Sequence, residues 1–320
     1  MNDKYNQAFE KIQKANNILI VTHERPDGDA LASACLMIEL LIKLEKKFTA
    51  YCSDQPVPNY LFLPRIEKII SSKELLNFNN FDLIIALDCG SLERTCLKDE
   101  IKGRKENQFI IEFDHHPKVY NYANLEIKLP EAVSTTEIIY NFLKANKINI
   151  NKNMANCILT GLLTDTSNFL HQSTSDNAIN IASEMLIRGA QFQQIVKNTV
   201  RNKSLSAMKV SGKVLDNLKI NKKYNLAFSV ITKEDLIDIN IEEDVFEGIT
   251  NFLGNLYGVK GVMLLREEEA GKLKGSLRSS HPNADVSKLA SIFGGGGHAR
   301  SSGFMVDGRL ERNGKRWKVI

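Results

Sequence analysis

Three short apolar runs, each followed at once by acidic or histidine residues, constrain this chain more than any other feature. Asn17-Ile-Leu-Ile-Val-Thr runs into His23 and then Pro26-Asp27-Gly28-Asp29. Phe81-Asp-Leu-Ile-Ile-Ala-Leu ends at Asp88, ahead of Cys89-Gly90, and Gln108-Phe-Ile-Ile-Glu-Phe ends at Asp114-His115-His116-Pro117. Runs this short, β-branched and almost continuously apolar read as strands buried on both faces. After the first of them, Leu31, Ala34, Ile38, Leu41 and Leu44 share one face of a helix expected over 30–47. Strands alternating with helices predict an α/β fold built on a parallel sheet. The carboxyl ends of such strands border the ligand crevice. His23, Asp27, Asp29, Asp88, Asp114, His115 and His116 are therefore expected to converge on one side of the sheet.

A lone Asp at a strand end is usually a turn or capping residue. Three independent strand ends with the same chemistry make a coincidence of turns a poor account. Clustered carboxylates repel and desolvate badly unless cations join them. Carboxylate and imidazole without a thiolate motif suit two hard or borderline divalent ions, Mn2+ or Mg2+. Asp165, in Gly161-Leu-Leu-Thr-Asp165-Thr, adds a carboxylate from the end of a helix expected over 153–164. Two such ions, roughly 3.5–4 Å apart, clamp a phosphoryl oxygen and activate water. The reaction class this implies is hydrolysis of a phosphate ester.

A length of 320 residues exceeds the usual size of one domain. The expected division is a catalytic domain over 1–189, a polar Gln/Asn-rich linker or hinge over 190–203, and a smaller α/β domain over 204–320. Further helices are expected over 134–145, where Ser134 and Glu137 form a capping box, and over 176–187, ending at Arg188-Gly189. The second domain is expected to hold helices over 204–218, 245–256 and 286–293, with strands over 224–231, 259–265 and 272–279.

The net charge of +4 hides an asymmetry: residues 271–320 carry ten Lys/Arg against three acids, whereas residues 1–270 are net −3. That excludes a role in coating polyanions and leaves a basic C-terminal face opposite an acidic body. The N-terminus lacks the apolar core of a signal peptide, and Leu31–Leu44 is too short to span a bilayer. Five cysteines without a CxxC pair suit reduced, mostly buried thiols. No membrane association and a cytoplasmic location are the expectations.

The set His23-x3-Asp27-x-Asp29, Asp88, Asp114-His115-His116 and Asp165 resembles the four motifs of the DHH phosphoesterase superfamily. The resemblance implies one Mn2+ bound by His23, Asp27, Asp88 and Asp165, and a second by Asp29, Asp88, His115 and Asp165. Asp114 matches the position that orients the neighbouring imidazole, and His116 the position that contacts the scissile phosphate or the departing oxygen. Ala32 stands where many relatives have Gly, a small change.

Gly294-Gly-Gly-Gly297-His298 follows a helix, unlike a dinucleotide fingerprint, and by spacing alone is best read as a permissive loop. It also resembles the GGGH motif of the DHH-associated C-terminal domain found in the RecJ/NrnA branch. In that match Gly295, Gly296 and Gly297 approach nucleotide phosphate and sugar, His298 contacts the nucleotide, and Arg278 with Ser279 binds phosphate. Arg300, beside this loop, belongs to the same basic region. The resemblance implies an active-site cleft between the two domains. It covers nearly the whole chain and is nearest the compact members that act as oligoribonuclease (nano-RNase) and pAp phosphatase. The partners it implies are short RNA or DNA oligonucleotides, dinucleotides or pAp, and a homodimer is compatible with it. Hydrolysis of cyclic dinucleotides or of linear pApA or pGpG would use the same residues and stays open. A nucleotide-binding regulator with a decayed site would lack metal ligands, and all are present here. The C-terminal half speaks against a type II pyrophosphatase.

Overall fold

Alternate residues of each central strand enter two different cores, which is what a sheet covered on both faces requires. In the computed structural model, which describes residues 1–118, 120–171, 174–237, 239, 243–313 and 316–320, the chain divides into two units, Met1–Asn202 and Lys203–Ile320. The first unit holds six parallel strands: β1 (Asn17–Val21), β2 (Lys47–Tyr51), β3 (Ile69–Ile70), β4 (Leu83–Leu87), β5 (Phe109–Asp114) and β6 (Leu125–Lys128). Ile18, Ile20, Leu83, Ile85, Leu87, Ile111 and Phe113 pack into one apolar cluster with α1 (Asn2–Lys14), α2 (Gly28–Lys43), α4 (Thr135–Ala145) and α5 (Lys152–Asp165). Leu19, Val21, Ile84, Ala86 and Ile110 point the other way, against Leu92, Leu97 and Ile101 beside the short helix α3 (Lys98–Lys102).

The strand order is β3-β2-β1-β4-β5-β6. From β1 the chain first builds outward to β2 and β3, then returns to place β4 on the other side of β1. This reversal is the topological switch point of an open α/β sheet. Val21 pairs with Ala86 across it, so His23 and Asp88 leave adjacent strands at the same level.

Helix α2 begins at Gly28, two residues before its apolar periodicity, because the Asp27 side chain caps it by accepting the N–H groups of Asp29 (3.1 Å) and Ala30 (3.0 Å). Its buried Glu39 is held by Arg65 Nε at 2.8 Å and Asn153 at 3.0 Å, which accounts for a charge within so apolar a helix. Ser134 caps α4 through the Glu137 N–H at 3.1 Å, while the Glu137 carboxylate accepts from Val133 at 2.8 Å rather than from Ser134. Helix α6 (Asp176–Ile187) stops at Gly189, where φ is +89°. Within the stretch read as linker, Phe192–Thr199 forms helix α7, anchored by a fully buried Ile195. Phe192, Ile195 and Val196 stand at helical spacing there, but a pattern only eight residues long does not stand out from its Gln/Asn-rich surroundings.

The second unit is a mixed sheet, β11-β12-β10-β9-β8-β7, from β7 (Lys219–Asn221), β8 (Leu226–Ile231), β9 (Gly261–Glu268), β10 (Lys272–Arg278), β11 (Gly296–Gly297) and β12 (Ser301–Asp307). Only β8 and β9 in it run parallel. Helices α8 (Leu205–Asp216) and α9 (Glu243–Leu253) share one apolar cluster with β8 and β9. Helix α10 (Val286–Ile292) contributes to a second cluster, and a hairpin of β13 (Leu310–Asn313) and β14 (Arg316–Val319) ends the chain. Lys315, one of the ten basic residues noted above, lies outside the described residues. Among the described residues all five cysteines are free thiols, and no helix is long and apolar enough to cross a membrane.

Candidate metal centre

The loop after β1 places His23 and Asp27, and Asp88 follows β4 in a left-handed conformation (φ 57°). His23 Nε2 lies 3.8 Å from Asp27 Oδ2 and 3.9 Å from Asp88 Oδ2. Its Nδ1 sits 2.6 Å from the Glu24 carbonyl, so the ring proton is on Nδ1 and the lone pair of Nε2 faces the two carboxylates. Nε2 is buried and has no hydrogen-bond partner. A buried acceptor aimed at two carboxylate oxygens, none of which can donate when ionised, fits a cation between them.

A second group forms beside it. His115 Nε2 lies 3.1 Å from Asp165 Oδ2 and 3.5 Å from Asp88 Oδ1. The ligand atoms fall into three groups, each within 4.8 Å: His23, Asp27 and Asp88; Asp29, His115 and Asp165; and Asp88, His115 and His116. Asp88 thus faces both histidine sets, while Asp165 groups with Asp29 and His115. Asp29 is fully buried, with its oxygens accepting the N–H groups of Thr135 (2.6 Å) and Thr136 (3.1 Å) at the start of α4. Gly161 of α5 makes this possible: a Cβ there would lie 2.3 Å from Asp29 Oδ1 and 2.2 Å from Thr136 Oγ1.

Behind these groups, Asp114 carries out the orienting work. Its Oδ1 accepts from the His116 backbone N–H (2.8 Å) and faces His116 Nδ1 at 2.9 Å, while Oδ2 accepts the Gly90 N–H at 2.6 Å. Gly90 has φ +66°, a conformation that side chains other than Asn and Asp rarely adopt. His116 Nδ1 also lies 3.4 Å from Asp88 Oδ1. The remaining ring nitrogen, Nε2, is the one left to act on a substrate.

In the second unit, Arg278 pairs with Ser301 across the β10–β12 ladder, and the His298 and Ser301 backbones bond to one another. Arg278, Ser279, Gly296, Gly297 and His298 therefore share one end of that sheet. Arg278 is half-buried, its Nε donating to Asn251 Oδ1 at 2.6 Å, and His298 is exposed. Two residues at this end are engaged within the frame. Ser279 is buried, its hydroxyl donating to the Lys260 carbonyl at 2.6 Å and accepting from the His281 N–H, so it braces the strand end rather than presenting itself to a ligand. The Arg300 guanidinium donates to the carbonyls of His281, Pro282 and Ala284 and stiffens that loop. The glycine run is partly a packing device: a Cβ on Gly295 would lie 2.1 Å from the Gly303 carbonyl, and one on Gly297 2.6 Å from that of Ser301. Gly296 is exposed and has open space where its Cβ would be.

Comparison with known proteins identifies the family. The DHH family N-terminal domain matches residues 17–162 and the DHHA1 domain matches residues 223–315. The chain belongs to the DHH family of phosphoesterases. It is 28% identical, over 91% of its length and 84% of the relative's, to the bifunctional oligoribonuclease and PAP phosphatase NrnA of Thermus thermophilus. It is 25% identical to the Bacillus subtilis protein of the same name, over 94% and 92% of the two chains. Among solved structures it is similar to an exopolyphosphatase-related protein from Bacteroides fragilis, with a TM-score of 0.87 and 27% identity over 95% and 91% of the chains.

Burial and charge set the protonation of this DHH-family site. Burial opposes charge on His115, but Asp165 and Asp88 outweigh it and raise the imidazole to about 11. His116 is raised to about 10 in the same way, by Asp114 and Asp88. Burial pushes the Asp165 carboxyl up to about 7 even with His115 beside it, and burial together with Asp165 and Asp88 raises Asp29. Burial also opposes charge on Asp88, yet His116 and His115 hold it below the usual carboxylate range. Sequence reasoning missed Thr135, whose hydroxyl donates to Asp88 Oδ1 at 2.9 Å and whose N–H holds Asp29. The signal was the Ser-Thr-Thr-Glu start of α4, read only as a cap.

Proposed function

We propose that the protein hydrolyses short oligonucleotides and pAp, with two divalent cations, preferably Mn2+, at the centre of its first unit. The observation that carries this is Asp88, one buried carboxylate facing two histidine sets, beside the buried and unpartnered Nε2 of His23. The relatives named oligoribonuclease and PAP phosphatase support the substrate class. His23, Asp27 and Asp88 would hold one cation; Asp29, His115 and Asp165, with Asp88 between, the other. Bound divalent cations polarise a phosphoryl group and activate water. Asp114, fixed by two backbone N–H groups, holds Nδ1 of His116, which leaves Nε2 to contact the phosphate and to pass a proton to the departing oxygen. Arg278, His298 and Gly296 receive the nucleotide.

The test is Mn2+-dependent turnover of a panel: pAp, RNA and DNA oligonucleotides from dinucleotide upward, pApA and a cyclic dinucleotide. Preference for dinucleotides and pAp is expected. Preference for the cyclic substrate would replace this function with the rival one, and no turnover of any would reject both.

Two further outcomes follow. Because a cation at His115 must displace a proton held up to about pH 11, metal binding is expected to release protons and its apparent affinity to rise with pH through the neutral range. Calorimetry in buffers of different ionisation enthalpy reads this, and a pH-independent affinity would contradict it. Arg278→Gln is expected to raise KM for a dinucleotide by at least ~10-fold, since a charge-assisted phosphate contact is lost, with metal content unchanged. An equal loss of metal would remove the assigned role.

A further inference from the structure

Arg94 belongs to none of the motifs above, yet it stands at the edge of the metal centre. It lies in the single 3-10 turn Glu93–Thr95 that follows β4, and its carbonyl accepts the Glu24 N–H at 2.7 Å, tying this turn to the loop after His23. A Cβ built on Gly90 would lie 3.1 Å from Arg94 Nη1 and 3.5 Å from His116 Cγ. The guanidinium and the imidazole therefore flank the same notch, and the glycine between them leaves it open.

The guanidinium has little else to hold. Nη1 reaches the Cys89 carbonyl at 3.5 Å, at the limit of a hydrogen bond, and no ion pair joins Arg94 to a carboxylate among the described residues. Its neighbour Glu93 is taken by Lys98 at 2.8 Å and by the Tyr120 hydroxyl. Three other arginines of this unit are committed: Arg65 to Glu39 at 2.8 Å, Arg188 to Glu184 at 2.8 Å, and Arg104 to two backbone carbonyls. Five donors in a planar fork, one of them weakly used, half-buried beside an imidazole, match the oxygens of a tetrahedral phosphate.

We propose that Arg94 is a further substrate-binding residue, a bidentate clamp on the phosphoryl oxygens of the group that His116 contacts. The assignment rests on the phosphoesterase function above and adds a contact from the metal-bearing unit. It distinguishes Arg94 from a purely structural arginine, which would meet its carbonyl or carboxylate partner near 2.8–3.0 Å.

The experiment titrates inorganic phosphate calorimetrically into the Mg2+-loaded full chain of wild type, Arg94→Lys and Arg94→Met, with metal content and Tm measured on each. Arg94→Met is expected to weaken phosphate binding at least ~10-fold with metal content and Tm held, and KM for pAp to rise in parallel. Arg94→Lys keeps the charge but lacks the fork; its phosphate binding is expected to fall between the two. Phosphate binding within twofold of wild type in a folded Arg94→Met protein overturns the proposal, as does a wild type that binds no phosphate. If Arg94→Met does not fold, Arg94→Lys decides: full Tm with wild-type phosphate affinity overturns the proposal, and full Tm with weakened affinity upholds it. A wild type that binds phosphate through Arg94 yet hydrolyses nothing in the panel sinks the function and leaves the clamp. Turnover with phosphate binding indifferent to Arg94 does the reverse.

Discussion

Asp88→Asn should abolish metal-dependent turnover while the protein stays folded. Asn is isosteric and among the few residues that tolerate the left-handed backbone at this position, where φ is 57°. The substitution also keeps the carbonyl oxygen that accepts from Thr135 at 2.9 Å. What changes is charge and the character of the second atom. An amide N–H now faces His23 Nε2 in place of a carboxylate oxygen. The carboxylate common to both histidine sets is gone. Loss of a residue that merely supports a metal ligand costs roughly 10–100-fold, so the loss here should exceed ~100-fold in kcat, with bound metal reduced and Tm of the metal-free protein nearly unchanged. Full metal occupancy together with more than a tenth of wild-type turnover would remove Asp88 from its place at the centre.

The second large effect concerns stability. Lys128→Met should destabilise the first unit by about 3–5 kcal/mol, the range for removing one partner of a buried ion pair. Lys128 Nζ lies 3.0 Å from Glu112 Oε1 and 3.8 Å from Asp114 Oδ2, with the lysine side chain 7% exposed and both carboxylates fully buried. Neither Glu112 oxygen has a hydrogen-bond partner of good geometry, so the attraction is chiefly electrostatic. Burial already raises the Glu112 carboxyl above the ordinary range, with Lys128 pulling it back. Without the ammonium, β5 is left with a buried Glu112 carboxylate that has no cation beside it, while Asp114 keeps the N–H groups of Gly90 and His116. A fall in Tm of order 10 °C is expected for a unit of this size. Lys128→Met with Glu112→Leu should recover much of it by removing the orphaned charge along with its partner. If the single variant melts within 2 °C of wild type, the pair contributes little; if the double variant is no better than the single, the damage is steric.

How much of this could be read beforehand varies by element, and the reason is physical. Strands β1, β4 and β5 were legible because burial on both faces forces continuous apolar runs, and the residues closing them were legible because ligands sit at strand ends. Strand β6, Leu125–Lys128, was not: two of its four residues are charged, and Lys128 can be inside only because Glu112 on the neighbouring strand meets it. Helix α1 was passed over for its polar composition, although Tyr5, Ala8 and Ile12 form its buried face. In the second unit, the glycine run and Arg278 were found through a motif. That Ser279 and Arg300 are occupied within the frame depends on carbonyls from 260 and 281–284, remote in sequence from one or both of them.

By itself the sequence determined which residue types would gather and at what chemistry, since carboxylates and imidazoles at three strand ends have one economical use. Only the tertiary structure decided their grouping. The strand reversal at β1 sets His23 and Asp88 side by side, and the start of α4 reaches Asp29 and Asp88 with Thr135. Gly90 leaves the notch that Arg94 and His116 share. Those relations join residues tens of positions apart, and no local pattern carries them because each depends on which strands lie next to each other.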